Sequence, residues 1–292
     1  MTIDTVAVTG GSGLIGGAIV DELNDNGYRT VNLDRRRADD CTADEYRRTD
    51  LLDAGQTYGS LARCDADAVV HMGTIVHPRN DPGYVTYESN VQTTYHVLEA
   101  AMELELEAAC LASSINAIGW SYQDVPPDVR YLPIDEEHPA TPRDPYALGK
   151  RVIEVTADGF GRLDDSPRTI STLRFPGVRS DEEVAAMADD DRSLEAFEKE
   201  YDPEENPVFT YVHVADAASM ARRAIEAEFE GHETFWSVAA DTTAAAPTAD
   251  LLETFYPDIE VRFDPSGHEG LISVDKARRL LDWEAEHTWR DR

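Results

Sequence analysis

Lysine is almost missing from this sequence. Of 292 residues only Lys150, Lys199 and Lys276 are lysine, so arginine supplies nearly all of the 26 basic residues. Cysteine is as scarce, with Cys41, Cys64 and Cys110 too few and too far apart for a disulfide framework or a Cys-based metal site. No CxxC pair occurs, and no metal is expected. No apolar run reaches the length of a membrane-crossing helix. The N-terminus passes almost at once into a strand pattern, which leaves no room for a signal peptide. The expectation is a cytoplasmic protein without a membrane partner.

Basic charge is scarce as well. The 58 acidic residues outweigh the 26 basic ones and leave a formal charge of −32. No basic stripe is available to neutralise phosphates, which argues against a nucleic-acid partner and against an anionic membrane surface. Carboxylates occur in small groups such as Asp39-Asp40, Glu136-Glu137, Asp189-Asp190-Asp191 and Glu204-Glu205. At ordinary salt their repulsion strains a compact fold. Near 1 M salt the Debye length falls to about 3 Å and that repulsion is largely screened. The composition therefore points to a protein adapted to a salt-rich interior, similar in character to haloarchaeal proteins.

What is abundant is a rhythm. With 41% hydrophobic residues the chain can bury a sizeable core. Strand-like runs at Thr5–Val8, Thr30–Leu33, Asp67–His71, Ala109–Ala112 and Thr169–Phe175 alternate with helical patterns. The helices are expected over Leu14–Asn26, Tyr84–Glu105 and Pro145–Arg162, with Val91, Tyr95, Leu98 and Met102 as the stripe of the second. This predicts an α/β fold, a Rossmann-type doubly wound parallel sheet. Beyond Phe175 the rhythm loosens. Residues 181–207 read as a surface helix and loop, Val208–Val212 and Thr234–Val238 as strands, and Ala215–Glu228 and Ser273–Leu281 as helices. Residues 1–175 are expected to form the nucleotide-binding part. Residues 176–292 are expected to form mainly a small C-terminal substrate-binding lobe, with some segments returning to the sheet.

Thr9–Gly16 reads TGGSGLIG, placing Gly10, Gly13 and Gly16 at GxxGxxG spacing directly after a strand and at the start of a helix. The first glycine permits the tight turn, the second lets backbone approach a pyrophosphate, and the third allows close helix–strand packing. The helix start offers unpaired N–H groups to the phosphates. Asp34 closes the second strand, where a carboxylate accepts hydrogen bonds from the adenosine ribose and disfavours a 2′-phosphate. Arg35-Arg36-Arg37 follows, and arginine suits that same phosphate; a solvated loop is an equal reading of the run. The cofactor is therefore expected to be NAD, slightly favoured, or NADP. Asp50-Leu51 can reach the adenine edge, with a helix cap by Asp53 or Asp50 as the equal alternative.

Tyr146 and Lys150 stand at YxxxK spacing inside a helix pattern, on one helix face. A nearby ammonium favours the phenolate, lowering a pKa of about 10 and creating a general base. Ser113-Ser114 ends a strand, where this fold class places its ligand crevice.

Together these motifs resemble the extended short-chain dehydrogenase/reductase family, of the NAD-dependent epimerase/dehydratase type. The resemblance extends through HMG at His71–Gly73, ESNVQTTYHVLEA at Glu88–Ala100, YVHVADAA at Tyr211–Ala218 and KARRLLDWEAEHTW at Lys276–Trp289. It implies a catalytic triad of Ser114, Tyr146 and Lys150, with Lys150 also holding the nicotinamide ribose. It implies cofactor contacts from Gly10, Gly13, Leu14, Ile15, Gly16, Asp34, Arg35, Asp50, Leu51, Met72, Gly73, Tyr146, Lys150 and Pro176. Thr74, Ser114, Asn116, Tyr146 and Arg174 would face a sugar, and Asn90 is expected to be structural.

Within the family, the stretch Ile115–Trp120 and the short C-terminal part look like uronate and aldose dehydrogenases. The expected reaction is oxidation of a free sugar at C1 to a lactone. Nucleotide-sugar 4-epimerisation or dehydration is the alternative, and a non-catalytic dinucleotide sensor a third reading. The helices at 84–105 and 145–162 resemble those through which the family forms homodimers.

Overall fold

The computed structural model describes residues 3–76, 80–120, 127–200 and 207–291. Seven parallel strands form one sheet: β1 (Thr5–Thr9), β2 (Arg29–Asp34), β3 (Glu45–Arg48), β4 (Ala68–His71), β5 (Ala108–Ser114), β6 (Thr169–Phe175) and β7 (Gly231–Trp236). Their spatial order is β3-β2-β1-β4-β5-β6-β7. The chain thus winds outward one way from β1, then returns to β1's other side and winds outward again. The C-terminal ends of β1 and β4 flank that reversal, where open α/β sheets place their ligands.

Burial on both faces explains the strand sequences. Val6, Ala7 and Val8 in β1 and Val69 and Val70 in β4 are fully buried, so these strands read as continuous apolar runs. Helices α1 (Leu14–Asp25) and α7 (Val214–Glu226) cover one face. On the other lie α2 (Ala54–Cys64), α3 (Gly83–Glu103) and α4 (Pro145–Phe160). Gly27, at φ +86°, follows the end of α1 in the conformation that glycine adopts without strain. Asp53 caps α2 by accepting from the Gln56 N–H at 3.0 Å.

The segment after Phe175 supplies the edge strand β7, α7, and the shorter helices α5 (Asp181–Asp189), α6 (Leu194–Glu200), α8 (Thr248–Phe255) and α9 (Asp275–Leu281). Part of the acidic stretch, residues 201–206 with Glu204-Glu205, lies outside the described residues. Val208–Val212 is not a strand. Val208 and Phe209 take positive φ values of 43° and 52° in a short 3₁₀ turn, and extended pairing resumes only at Val212–His213, against Val178–Arg179. The edge strand begins at Gly231 rather than Thr234, and α9 begins at Asp275. β3 went unseen because Glu45-Tyr46-Arg47-Arg48 has no apolar run, being a half-exposed edge. In α3 the buried residues are Thr86, Asn90, Thr93, Thr94, Val97, Leu98, Ala100 and Ala101; of the expected stripe Leu98 is buried, Val91 and Met102 are half-buried and Tyr95 is exposed.

Candidate active site

The strand ends gather the predicted residues along one edge of the sheet. After β1 the chain turns at Gly10, whose φ is +69°. A Cβ there would lie 2.8 Å from Gly73 Cα, so the turn after β1 and the loop after β4 touch backbone to backbone. A Cβ on Gly16 would lie 2.1 Å from Gly10 O, which leaves no room for any side chain at that crossing. Gly13 caps α1 without a side-chain acceptor. The first-turn N–H groups of a helix have no intrahelical partner, and here they face the turn. Leu14 is exposed in that first turn, while Ile15 packs against the core.

Asp34 ends β2 beside this turn, accepting from Ser12 N at 3.3 Å and Arg36 N at 3.4 Å. A cavity of about 320 Å³ next to it is lined by Arg35, Arg48, Thr49, Asp50 and Gln56. Arg48 was not foreseen. It ends β3 directly opposite Asp34 in the strand register, and among the described residues none forms an ion pair with it or with Arg35. Leu51 and Met72 are buried, and a Cβ on Gly73 would meet Leu51 Cδ1 at 2.7 Å. Thr9 Oγ1 accepts from Gly73 N at 3.1 Å and bonds His71 Nδ1 at 2.7 Å. Burial, helped by the charge of Lys150, pushes the His71 imidazole down to about 3 and keeps it neutral.

The residues present fit a dinucleotide. The glycine crossing is filled by backbone alone, the helix start is uncapped, and a carboxylate stands where a ribose would end.

Ser114, Tyr146 and Lys150 converge at the next strand end. Asp144 and Pro145 start α4: the Asp144 carboxylate accepts from Tyr146 N at 2.9 Å and Ala147 N at 3.0 Å, while proline takes a position needing no donor. Both were visible as an Asp-Pro pair before an apolar helix pattern. One turn on, the Lys150 ammonium is 1% exposed and donates to Ala112 O at 2.8 Å and Thr74 Oγ1 at 3.1 Å. It lies 5.6 Å from the centre of the Tyr146 ring. Burial pushes Lys150 down to about 7, against the pull of Glu154. Ser114 Oγ accepts from Asn116 N at 3.2 Å, which leaves its own O–H proton to donate. Asn116 is buried just beyond it, and Pro176 is half-buried after β6.

Two residues expected to face a sugar are engaged otherwise. Thr74 holds Lys150. Arg174 is 2% exposed and forks onto Glu154, with Nε to Oε1 at 2.8 Å and Nη2 to Oε2 at 3.0 Å. Glu154 itself was not foreseen, although it stands four residues after Lys150 on the same helix face. Asn90 ties both the N–H and the carbonyl of Ile75 through its amide, a structural role. Among the described residues no group of His, Cys, Asp and Glu is arranged to hold a metal, and no helix is long and apolar enough to cross a membrane.

Residues 6–239 match the NAD dependent epimerase/dehydratase family. A UDP-glucose 4-epimerase of Rhizobium meliloti is 25% identical over 98% of this chain and 94% of its own. A relative from Methanocaldococcus jannaschii is 30% identical over 164 residues; the match takes in 54% of this chain and spans about half of that relative, 51%. Among solved structures, MoeE5 in complex with UDP-glucuronic acid and NAD superposes with a TM-score of 0.70 at 19% identity, covering 98% of this chain and 95% of that one. A mutated uronate dehydrogenase gives 0.69 at 19%, covering 99% and 85%. These likenesses show a shared Rossmann-type fold.

Proposed function

The chain belongs to the NAD dependent epimerase/dehydratase family, and from that premise we propose that it is an NAD-dependent enzyme acting on a nucleotide sugar, with 4-epimerisation as its reaction. The observation that carries the chemistry is Lys150, buried between Ala112 O and Thr74 beside the Tyr146 ring, at the strand ends that border the glycine turn. Full-length similarity to a 4-epimerase supports this reaction over the free-sugar oxidation expected from the sequence.

Bound NAD supplies the site that accepts and returns a hydride. Ser114 donates its hydroxyl proton to the substrate oxygen, its own oxygen being held by Asn116 N. Tyr146 removes the carbinol proton as hydride leaves the carbon, and returns it when the ketone is reduced on the other face. The Lys150 ammonium favours the phenolate throughout. Asp34 selects NAD through the ribose. Arg35 and Arg48, at the cavity edge and without ion-pair partners among the described residues, leave NADP as an alternative cofactor. Residues 1–175 carry cofactor and catalytic groups, and residues 176–292 mainly the sugar.

Oxidation of a free sugar at C1 to a lactone is the second reading. It is supported by the mutated uronate dehydrogenase that superposes over 99% of this chain. Tyr84, Tyr95, Leu148 and Val155 form exposed apolar positions on α3 and α4. They support a homodimer through these helices, checked by light scattering on the eluting protein.

Incubation with UDP-sugars or free sugars in molar KCl separates the readings. Sugar interconversion without net reduced nicotinamide is the expected result. Reduced nicotinamide accumulating with a free sugar would replace it with the second reading, and cofactor binding without any turnover would reject both. Tyr146→Phe should abolish turnover and leave cofactor binding largely intact; an active variant would remove Tyr146 as the base.

A further inference from the structure

Behind the catalytic pair lies a charge cluster that the proposed chemistry does not yet use. Glu154 is one turn beyond Lys150 on α4 and 1% exposed. Its carboxylate accepts from Ser113 Oγ at 2.7 Å, from Arg174 on β6 at 2.8 and 3.0 Å, and from Arg151 at 2.8 Å. Ser113 precedes Ser114, and Ala112, which accepts from Lys150, precedes Ser113. The last three residues of β5 are therefore fastened to α4 at two points, one of them Glu154 and the other Lys150. Arg174 also lies 5.0 Å from the centre of the Trp236 ring on β7. A guanidinium cannot shed its charge in a protein, so Arg174 is a fixed cation in the interior.

We propose that Glu154 is a positioning residue for the catalytic pair: its buried carboxylate offsets Arg174, so that Lys150 keeps its ammonium beside Tyr146, and its bond to Ser113 fixes the strand end that presents Ser114. The inference rests on Tyr146 and Lys150 being the proton-transfer pair, and is independent of which sugar they serve.

One other carboxylate among the described residues faces Arg174: Glu136 accepts from Trp236 N at 3.2 Å, and burial pushes it up against the pull of Lys276 and Arg174, but it makes no bond to β5 or α4. His71 on β4 is neutral. His232 on β7 is turned to Asp158, at 2.7 Å, near the far end of α4. Arg151 adds a second cation, and α3 presents Tyr87 against Gly149. Burial already pushes Lys150 down, and Glu154 opposes that push. With a neutral side chain at 154, the lysine would lose the carboxylate that opposes its burial while Arg174 and Arg151 lose the one they share, and the lysine is the group that can release its proton.

The test needs no sugar. The ionisation of Tyr146 is read as the ultraviolet difference between a protein and its Tyr146→Phe counterpart, in molar KCl, with NAD binding followed by tryptophan fluorescence as a check on the fold. Glu154→Gln should raise the pH at which Tyr146 ionises by about one unit or more, the effect of losing a neighbouring cation. For the substrate that the parent protein turns over, kcat near neutral pH should fall about tenfold with little change in KM. A folded, NAD-binding Glu154→Gln protein in which Tyr146 ionises as in the parent would overturn the proposal. Should the single variant not fold, Glu154→Gln with Arg174→Met removes both charges, and ionisation at the parental pH is then expected. Ionisation about one unit or more higher in that double variant would overturn the offset of Arg174. If the parent turns over no sugar, the proposed function fails, while the titration still decides the role of Glu154.

Discussion

Replacing Lys150 by methionine should stabilise the folded protein while ending catalysis. The ammonium is buried, and burial moves its pKa from 10.5 to about 7. At about 1.36 kcal/mol per pH unit, keeping that group in the interior costs at most about 5 kcal/mol at or below neutral pH. The sign follows from proton counts. Between about 7 and 10.5 the unfolded chain binds the proton and the native state does not, so stability rises with pH and the cost of the lysine fades. Methionine gives something back, because Ala112 O and Thr74 Oγ1 lose their donor; a buried carbonyl left unpaired costs about 1–3 kcal/mol. Glu154 is not orphaned, since Arg174 and Arg151 still hold it. The net expectation is a gain of about 2 kcal/mol near pH 7, within the range of about 1–4 kcal/mol seen when apolar residues replace buried charges. Urea unfolding in molar KCl, at about pH 7 and again at about pH 9.5, measures it. A variant less stable than the parent at neutral pH would refute the reasoning, as would a difference that stays constant as pH rises.

Cofactor choice should respond to both sides of the cavity beside Asp34. Asp34→Ala should weaken NAD and shift the preference toward NADP, whereas Arg48→Ala should weaken NADP about tenfold and leave NAD nearly unchanged, both measured as Kd. The net charge of −32 predicts a melting temperature higher in about 2 M KCl than in about 0.1 M; equal values in the two would end the argument for adaptation to salt.

The central strands were legible because a sheet covered on both faces demands unbroken apolar runs, as Val6–Val8 and Val69-Val70 provide. β3 was not, because an edge strand is held by charges: Glu45 pairs with Arg29 and Arg47 at 2.6 Å each. Val208–Val212 has strand composition, yet its two positive φ values are set by the turn it must make, which composition does not record. The buried face of α3 is made largely of threonine, asparagine and alanine, so a search for large apolar residues caught Leu98 on it but also took in the half-buried Val91 and Met102 and the exposed Tyr95. In the site, the glycine spacing and Tyr146…Lys150 are contiguous and therefore visible. Arg174 finds its partner 20 residues away in sequence and across two elements, so its type suggested a ligand contact where the fold uses it as a buried ion pair.

The contact between Gly10 and Gly73 has a mechanical consequence. With no side chain between them, neither backbone can advance without displacing the other, so the turn after β1 and the loop after β4 move as one part. Thr74 is the next residue along that loop, and it holds the Lys150 ammonium. The end of the site shaped for phosphates and the end that moves protons are thus joined by a single peptide unit. A dinucleotide seated on the glycine turn would press, through that unit, on the lysine that serves the base.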